Sequence, residues 1–485
     1  MKRIGLTVAV VLTGVLLVGA GCGAVDTVDK VAFERPLTIP PMAESHVDDQ
    51  GRRVFDLRAQ PGTSDFGPAA GGTTATWGFN GAYLGPTLRA TRGERVLVNV
   101  VNGLRETTSV HWHGMHLPAA MDGGPHQEIH PGATWSPSWT IDQPAATLWY
   151  HPHPHGVTKD HVNRGLAGMF ILDDDNPAET TLPHTYGVDD IPVIIQDRGF
   201  HKGRLRAGDT GDTLLVDGTI GPYLDVTTSK VRLRLLNAST KRVYAFGFDD
   251  DRAFALVGSD GGLLAAPYAT DRIRLSPGER AEVVVAVRAG ERPVLRSYPP
   301  DLGNSFFGGR DRFDVLQLRA AATLKPAADV PATLADLPRR DPDIAVRSRS
   351  FTLSGTEING RRMDLNRIDV TVIRDTAEVW NLSNEDGKAH SFHVHDTQFQ
   401  VLSVDERPPG PELGGWKDTV LLRTNQRLRI LLRFSDYTDR NLPYMFHCHL
   451  LMHEDDGMMG QFVVVAPGER AGTPPPLDVG HAGHG

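Results

Sequence analysis

One arrangement of strands recurs three times along this chain, and that recurrence limits the fold more than any other feature. Glu94–Val100, Lys230–Leu235 and Glu378–Leu382 each alternate polar with apolar residues and run into an asparagine: Asn102, Asn237 or Asn384. Period-two alternation sends successive side chains to opposite faces, so these segments read as half-buried strands. A second cassette follows each one. Pro131-Gly132-Ala133-Thr134, then Ser276-Pro277-Gly278-Glu279 leading into Val283-Val284-Val285, then Thr424-Asn425-Gln426 leading into Leu428–Leu431, are turns feeding strands. The repeat spacing of roughly 140 residues is too long for a solenoid unit and suits whole domains in tandem. The length of 485 residues agrees, because single cores stop growing near about 250–300 residues. The expectation is an all-β chain of three tandem β-sandwich domains.

Composition narrows the function classes. With 40% hydrophobic and 22% charged residues, 51 Gly and 34 Pro, the chain is globular and turn-rich rather than disordered or collagen-like. Fifty basic against 59 acidic side chains, without long single-sign runs, offer nothing to a nucleic-acid backbone. Breaker-rich stretches set the expected partition. Asp173–Pro177 closes a first domain of residues 30–178; a second spans 179–322; Pro326, Pro331 and Pro338 mark a linker, 323–345, with room for a short helix near Leu334; a third spans 346–468; and an aperiodic tail, 469–485, carries His481 and His484. Residues 1–29 form a leader. Lys2 and Arg3 precede the apolar run Ile4–Val18, which ends in Gly19-Ala20-Gly21-Cys22, the layout of a secretory signal with a candidate lipidation cysteine. Later segments fall short of the roughly 20 apolar residues a membrane span needs. The chain is therefore expected to be exported to the cell envelope, periplasmic or extracellular, as a monomer that meets the membrane only through Cys22.

If Cys22 is the processing site, Cys448 is the one cysteine left and no intrachain disulfide can form. A lone exported thiol is either inert and buried or held as a thiolate by a metal. Its neighbours favour the metal. Twenty histidines scattered at random would give roughly one His-x-His triplet, whereas the chain has five: His111-Trp112-His113, His151-Pro152-His153 overlapping His153-Pro154-His155, His393-Val394-His395 and His447-Cys448-His449. They fall in the first and third domains, which implies a site between the two. On a strand each pair delivers both imidazoles to one face, so four converging pairs supply enough nitrogens for several ions. The same alternation sends Cys448 to the opposite face, so one tripeptide bridges a thiolate site and a histidine cluster. With His390, His453 and Met458, Cys448 completes two imidazoles, a thiolate and a weak thioether, the ligand set of blue-copper centres.

These groups resemble the copper-binding motifs of the multicopper oxidases: His111-Trp112-His113-Gly114, His151-Pro152-His153, His390-Ser391-Phe392-His393-Val394-His395, and His447-Cys448-His449-Leu450-Leu451-Met452-His453 with Met458. Ser391 stands where the third motif often has Pro. The resemblance implies three cupredoxin-like Greek-key β-sandwich or barrel domains and four copper ions. It places one type 1 ion on His390, Cys448, His453 and Met458, the type 2 ion on His111 and His393, and the type 3 pair on His113, His151, His153, His395, His447 and His449. It also implies that four one-electron oxidations of a small phenolic or metal-ion reductant are coupled to reduction of O2 to water. Asp122 and Glu454 match positions where the family places acids near the oxygen cluster, to supply protons. His116, His126, His130, His155 and His161 are expected beside the ligands or at the surface. The superfamily also includes copper-free envelope proteins that have lost ligands; here all ten motif histidines stand. Copper-efflux members typically carry a methionine-rich insert, whereas this chain has 10 Met in total and Met363, Met452, Met458 and Met459 form no such lid. The reading is therefore a laccase-like oxidase of phenols and aromatic amines. Oxidation of Cu(I), Mn(II) or Fe(II) is the alternative, and a non-catalytic envelope scaffold the second alternative.

Overall fold

A computed structural model describes residues 24–206 and 210–476. Cys22 with most of the leader, and His481 and His484 of the tail, lie outside the described residues. The all-β expectation holds: three sandwiches follow one another, with few and short helices. Each repeats one topology. An early strand of the first sheet runs parallel to the repeated alternating strand: Arg53–Asp65 with Arg95–Asn102, Asp190–Arg198 with Lys230–Asn237, and Ala345–Ser354 with Thr376–Asn384. In the second sheet an early strand pairs in parallel with the domain's last: Leu88–Thr91 with Gly168–Asp173, Pro222–Thr228 with Phe313–Lys325, and Val370–Ile373 with Met459–Val465. Parallel neighbours require crossovers, so the chain alternates between sheets as in Greek-key sandwiches.

The asparagine that ends each repeated strand explains the repeat. All three are buried. Asn102 Nδ2 donates to the carbonyls of Glu106 (2.9 Å) and Ile129 (2.7 Å), Asn237 Nδ2 to those of Arg242 (2.8 Å) and Leu275 (2.9 Å), and Asn384 Nδ2 to those of Lys388 (2.6 Å) and Leu422 (3.2 Å). Each Oδ1 accepts from the backbone N–H two residues on, closing an Asx turn. The amide thus ties the strand end to the chain just before the second cassette, satisfying carbonyls that would otherwise be buried unpaired.

Three expectations are corrected. Lys230–Asn237 alternates in sequence but is not half-buried: Arg232 and Arg234 are enclosed because the first domain covers that face, and Glu282, Asp190 and Glu179 neutralise them. The chain up to Leu37 does not belong with the first domain, although Pro41 to Ala43 pair with its Thr87. Arg35–Pro36 adds an edge strand beside Pro222–Thr228, and Leu37 enters the second domain's core. Proline, without an N–H, is suited to such an edge. No helix forms around Leu334, which is buried against the second domain in an extended segment, its N–H bonded to the Ala265 carbonyl (2.9 Å). Among the described residues no helix is long and apolar enough to cross a membrane.

Candidate metal centre

Strand parity explains where the ligand candidates go. His111–His113 pairs with Ala146–His151 so that His151 faces His111 and Trp149 faces His113. In the third domain His390–Val394 pairs with Tyr444–Cys448, setting His393 opposite His447 and Phe392 opposite Cys448. Residues directly across an antiparallel pair share a face. A step of two keeps the face and a step of three changes it, so His390 joins Cys448 while His393 joins His447. One strand pair feeds two sites. His453 and Glu454 are brought in by the short helix Leu451–Asp455, and Met458 follows it, its N–H bonded to the His453 carbonyl (2.8 Å) and its carbonyl accepting from Cys448 N–H (3.0 Å).

The thiolate site is compact. His390 Nδ1 and His453 Nδ1 lie 3.6 and 3.7 Å from Cys448 Sγ, and Met458 is buried in the same cluster. His390 Nε2 donates to Asp386 Oδ2 (3.0 Å), which turns Nδ1 toward the sulfur. Burial raises the thiol, but hydrogen bonds from His390 and His453 outweigh it and hold Cys448 at about 6, so it is largely thiolate at neutral pH. Phe307 of the second domain closes the site, its ring 5.6 Å from that of His453 in an edge contact, with a left-handed backbone (φ 53°) unusual for a bulky residue.

On the other face eight histidines converge, and their outer hydrogen bonds decide which nitrogen each presents. His111 Nδ1 donates to the Asp122 carbonyl (2.9 Å), while His395 Nδ1 donates to the Asp122 carboxylate (2.7 Å). Asp418 repeats this from the third domain: its carbonyl takes His393 Nδ1 (2.9 Å) and its carboxylate takes His113 Nε2 (3.1 Å). Each aspartate therefore holds one histidine of its own domain through its backbone and one of the other domain through its side chain. The paired rings stack, His111 on His395 at 3.8 Å and His113 on His393 at 3.7 Å. His151 Nδ1 donates to the Pro152 carbonyl (2.8 Å). Glu454 faces His447 Nδ1 at 3.2 Å and His153 Nδ1 at 3.6 Å. What remains points inward: His153 Nε2 and His395 Nε2 lie 3.2 and 3.3 Å from His447 Nε2, His113 Nδ1 lies 3.4 Å from His151 Nε2, and His111 Nε2, His393 Nε2 and both nitrogens of His449 have no protein partner.

Buried nitrogens without partners are costly unless something else binds them. Three groups, His111-His393-His395, His111-His113-His151 and His153-His395-His447, have donor atoms close enough to share an ion, as do His390, Cys448 and His453. Imidazoles beside a thiolate site suit copper. Burial and neighbouring rings hold His153 and His447 near about 3 and His393 near about 4, and push His113, His151, His395 and His449 well below their usual value, so their lone pairs stay free.

A pH dependence follows. Between the unfolded histidine pKa of about 6.5 and these depressed values, the unfolded chain binds more protons, so stability of the copper-free protein falls as pH drops through that window. Burial raises Asp260 to about 6 and Asp455 to about 7 and pushes Asp217, Asp396 and Glu454 up as well, which acts with the opposite sign but on fewer groups. Calorimetry at pH 7 and 5 is expected to show Tm falling, with a net uptake of protons on unfolding at pH 5. An unchanged Tm would contradict buried neutral rings.

Of the other histidines expected near the ligands, His155 is exposed and four find other partners. His116 is clamped by Asp396 and Asp436, which outweigh burial and lift it to about 9; His126 meets Gln461, His130 meets Thr107, and His161 meets Thr108. Sequence reading missed Asp418; the only local signal was a charged pair, Lys417-Asp418, heading the apolar strand Thr419–Leu422.

Comparison with known proteins agrees with this geometry. Residues 63–177, 195–293 and 335–468 match family models described as multicopper oxidase. The chain is 35% identical over 445 residues to multicopper oxidase mco of Staphylococcus haemolyticus, covering 88% of this chain and 92% of that protein. It is equally 35% identical over 446 residues to the cell division protein FtsP of Escherichia coli, covering 89% and 93%. Among solved structures, the bacterial laccase-like multicopper oxidase CueO from a lignin-degrading Ochrobactrum species superposes with a TM-score of 0.81 at 37% identity, covering 89% of this chain and all of that one.

Proposed function

Because the chain belongs to the multicopper oxidase family, we propose that it is a laccase-like enzyme that oxidises phenols and aromatic amines with O2 as acceptor. The observation that carries this reading is the two-faced strand end, with Cys448 between His390 and His453 on one side and His447 with His449 in the histidine cluster on the other. Four copper ions held by His390, Cys448, His453 and Met458 (type 1), by His111 and His393 (type 2), and by His113, His151, His153, His395, His447 and His449 (type 3) would supply one-electron transfer and reduction of O2 to two waters.

The chain's own groups do the rest. The bonds from Cys448 to His447 and His449 give electrons a short covalent route between the faces. Protons have two sources at hand. Asp122 Oδ1 is buried without a hydrogen bond, 3.4 Å from His111 Nδ1, and burial raises Glu454, which faces His153 and His447, so both acids can hold or pass a proton beside the cluster. Outside the thiolate site the surface offers half-exposed Phe306, with the Lys388 ammonium 5.2 Å from its ring. An aromatic ring under a cation suits a neutral or anionic aromatic donor better than a metal cation. Asp386, partly exposed beside His390, supports the alternative of a Cu(I), Mn(II) or Fe(II) oxidase. Similarity to FtsP raises a non-catalytic envelope scaffold, against which the full donor set argues. Export to the cell envelope, as a monomer with an anchor at Cys22, completes the proposal. Oxygen uptake with a methoxyphenol is expected to be fast without added Cu(II). Uptake that requires added Cu(II), or that occurs only with Cu(I) as reductant, would move the assignment to a metallo-oxidase.

A further inference from the structure

The second domain contributes no histidine to the cluster, yet the turn that its own repeat cassette forms, Ser276 to Arg280, is built into the cluster wall. Arg280 is fully buried. Its Nε donates to the Thr147 carbonyl of the first domain (2.9 Å), and Nη1 and Nη2 donate to the Gly278 and Asp260 carbonyls of the second (3.0 and 2.8 Å). The same two nitrogens grip Asp418 of the third domain on both oxygens (2.8 and 2.6 Å). A guanidinium has five N–H groups, and all five are used, so three domains fix its plane at once. Asp418 is thereby fixed as well, and it is Asp418 that takes His113 Nε2 on its side chain and His393 Nδ1 on its carbonyl. Asp122, its counterpart across the cluster, has no such clamp, and its Oδ1 takes no hydrogen bond. The two aspartates are alike in what they hold and differ in what holds them.

Gly278 presses on the rings directly. With φ at +89°, a Cβ there would lie 3.0 Å from His449 Cγ and 3.1 Å from His113 Cε1. Ser391, two residues before His393, is held from the same turn: its Oγ donates to the Pro277 carbonyl (3.0 Å) and lies 2.8 Å from Ser276 Oγ, while its carbonyl accepts from His449 N–H (2.5 Å). The position at which Ser replaces the more usual Pro is therefore a contact of this turn.

We propose that the turn 276–280 of the ligand-free second domain positions the histidine cluster, Arg280 by immobilising Asp418 and Gly278 by abutting His113 and His449. This rests on the reading that those histidines hold copper. Arg280 and Gly278 are positioning residues, since neither offers a ligand atom, and the thiolate site on the opposite face does not depend on them.

The test is selective copper loss. Wild type, Arg280→Met, Arg280→Lys and Gly278→Ala are loaded with copper and challenged with a chelator, reading total copper per chain, blue absorbance, the type 2 paramagnetic signal and Tm. For Arg280→Met and Gly278→Ala, retention of non-blue copper is expected to weaken by about 10–100-fold while blue absorbance per chain is kept. Arg280→Lys should rescue only in part, because an ammonium cannot make the bidentate grip. Wild-type retention in the Arg280→Met and Gly278→Ala proteins, or loss of blue and non-blue copper in parallel with a fall in Tm, would overturn the proposal. Gly278→Ala keeps the guanidinium and its bonds to Asp418, Thr147 and Asp260, and decides the matter should Arg280→Met fail to fold. A wild-type protein that binds no non-blue copper would instead sink the reading of the cluster itself.

Discussion

Replacing Cys448 with Ser is expected to remove the blue colour of the copper-loaded protein and to lower phenol oxidation by about 1,000-fold or more, a barrier increase of about 4 kcal/mol. The thiol, held at about 6, is poised as a thiolate between His390 and His453, and a serine hydroxyl in the same place stays protonated and lacks a soft donor atom. Because Cys448 lies on the face away from His447 and His449, the substitution should leave the histidine cluster able to hold its copper. The type 2 paramagnetic signal is therefore expected to persist in the colourless variant. Oxidation that survives at the wild-type rate would mean that electrons enter elsewhere, and the covalent route through 447–449 would have to be abandoned.

Asp122→Asn is expected to lower kcat by about 100-fold, within the range usual for losing a positioned proton donor, while the resting protein stays blue. The amide oxygen can still accept from His395 Nδ1, and the backbone carbonyl that holds His111 is untouched, so the rings should keep their orientation. What disappears is a carboxylate whose second oxygen is buried without a hydrogen bond beside the cluster. Since electron uptake is unaffected while oxygen reduction slows, the colour should bleach during turnover in air and return when the reductant is spent. Loss of the blue band in the resting variant would make Asp122 a purely structural residue.

Much of this site was legible because a strand writes its geometry into sequence as period two. His111, His113, His393, His395, His447 and His449 and the opposite placement of Cys448 follow from it, and the repeated asparagines marked where each domain's strand ends. Arg280 and Asp418 were not legible for a definite reason. They are 138 residues apart, one following a turn and the other heading a short strand, and no local pattern links a charge to the partner that tertiary structure brings to it. Arg232 and Arg234 looked solvated for the same cause, since alternation predicts the face of a strand but not whether a neighbouring domain covers it. Lys30 to Leu37 read as the start of the first domain because sequence order was the only guide, whereas an open sheet edge in the second domain captured Arg35 to Leu37.

The central claim is that a thiolate site and a histidine cluster, joined by one tripeptide, take electrons singly and deliver four to each O2. The most direct measurement is the oxygen consumed per molecule of a one-electron reductant in the copper-loaded protein, repeated with catalase present. One O2 per four reductant molecules, unchanged by catalase, is the expected result. Consumption of one O2 per two, with half the oxygen returned by catalase, or no consumption at all, would contradict it.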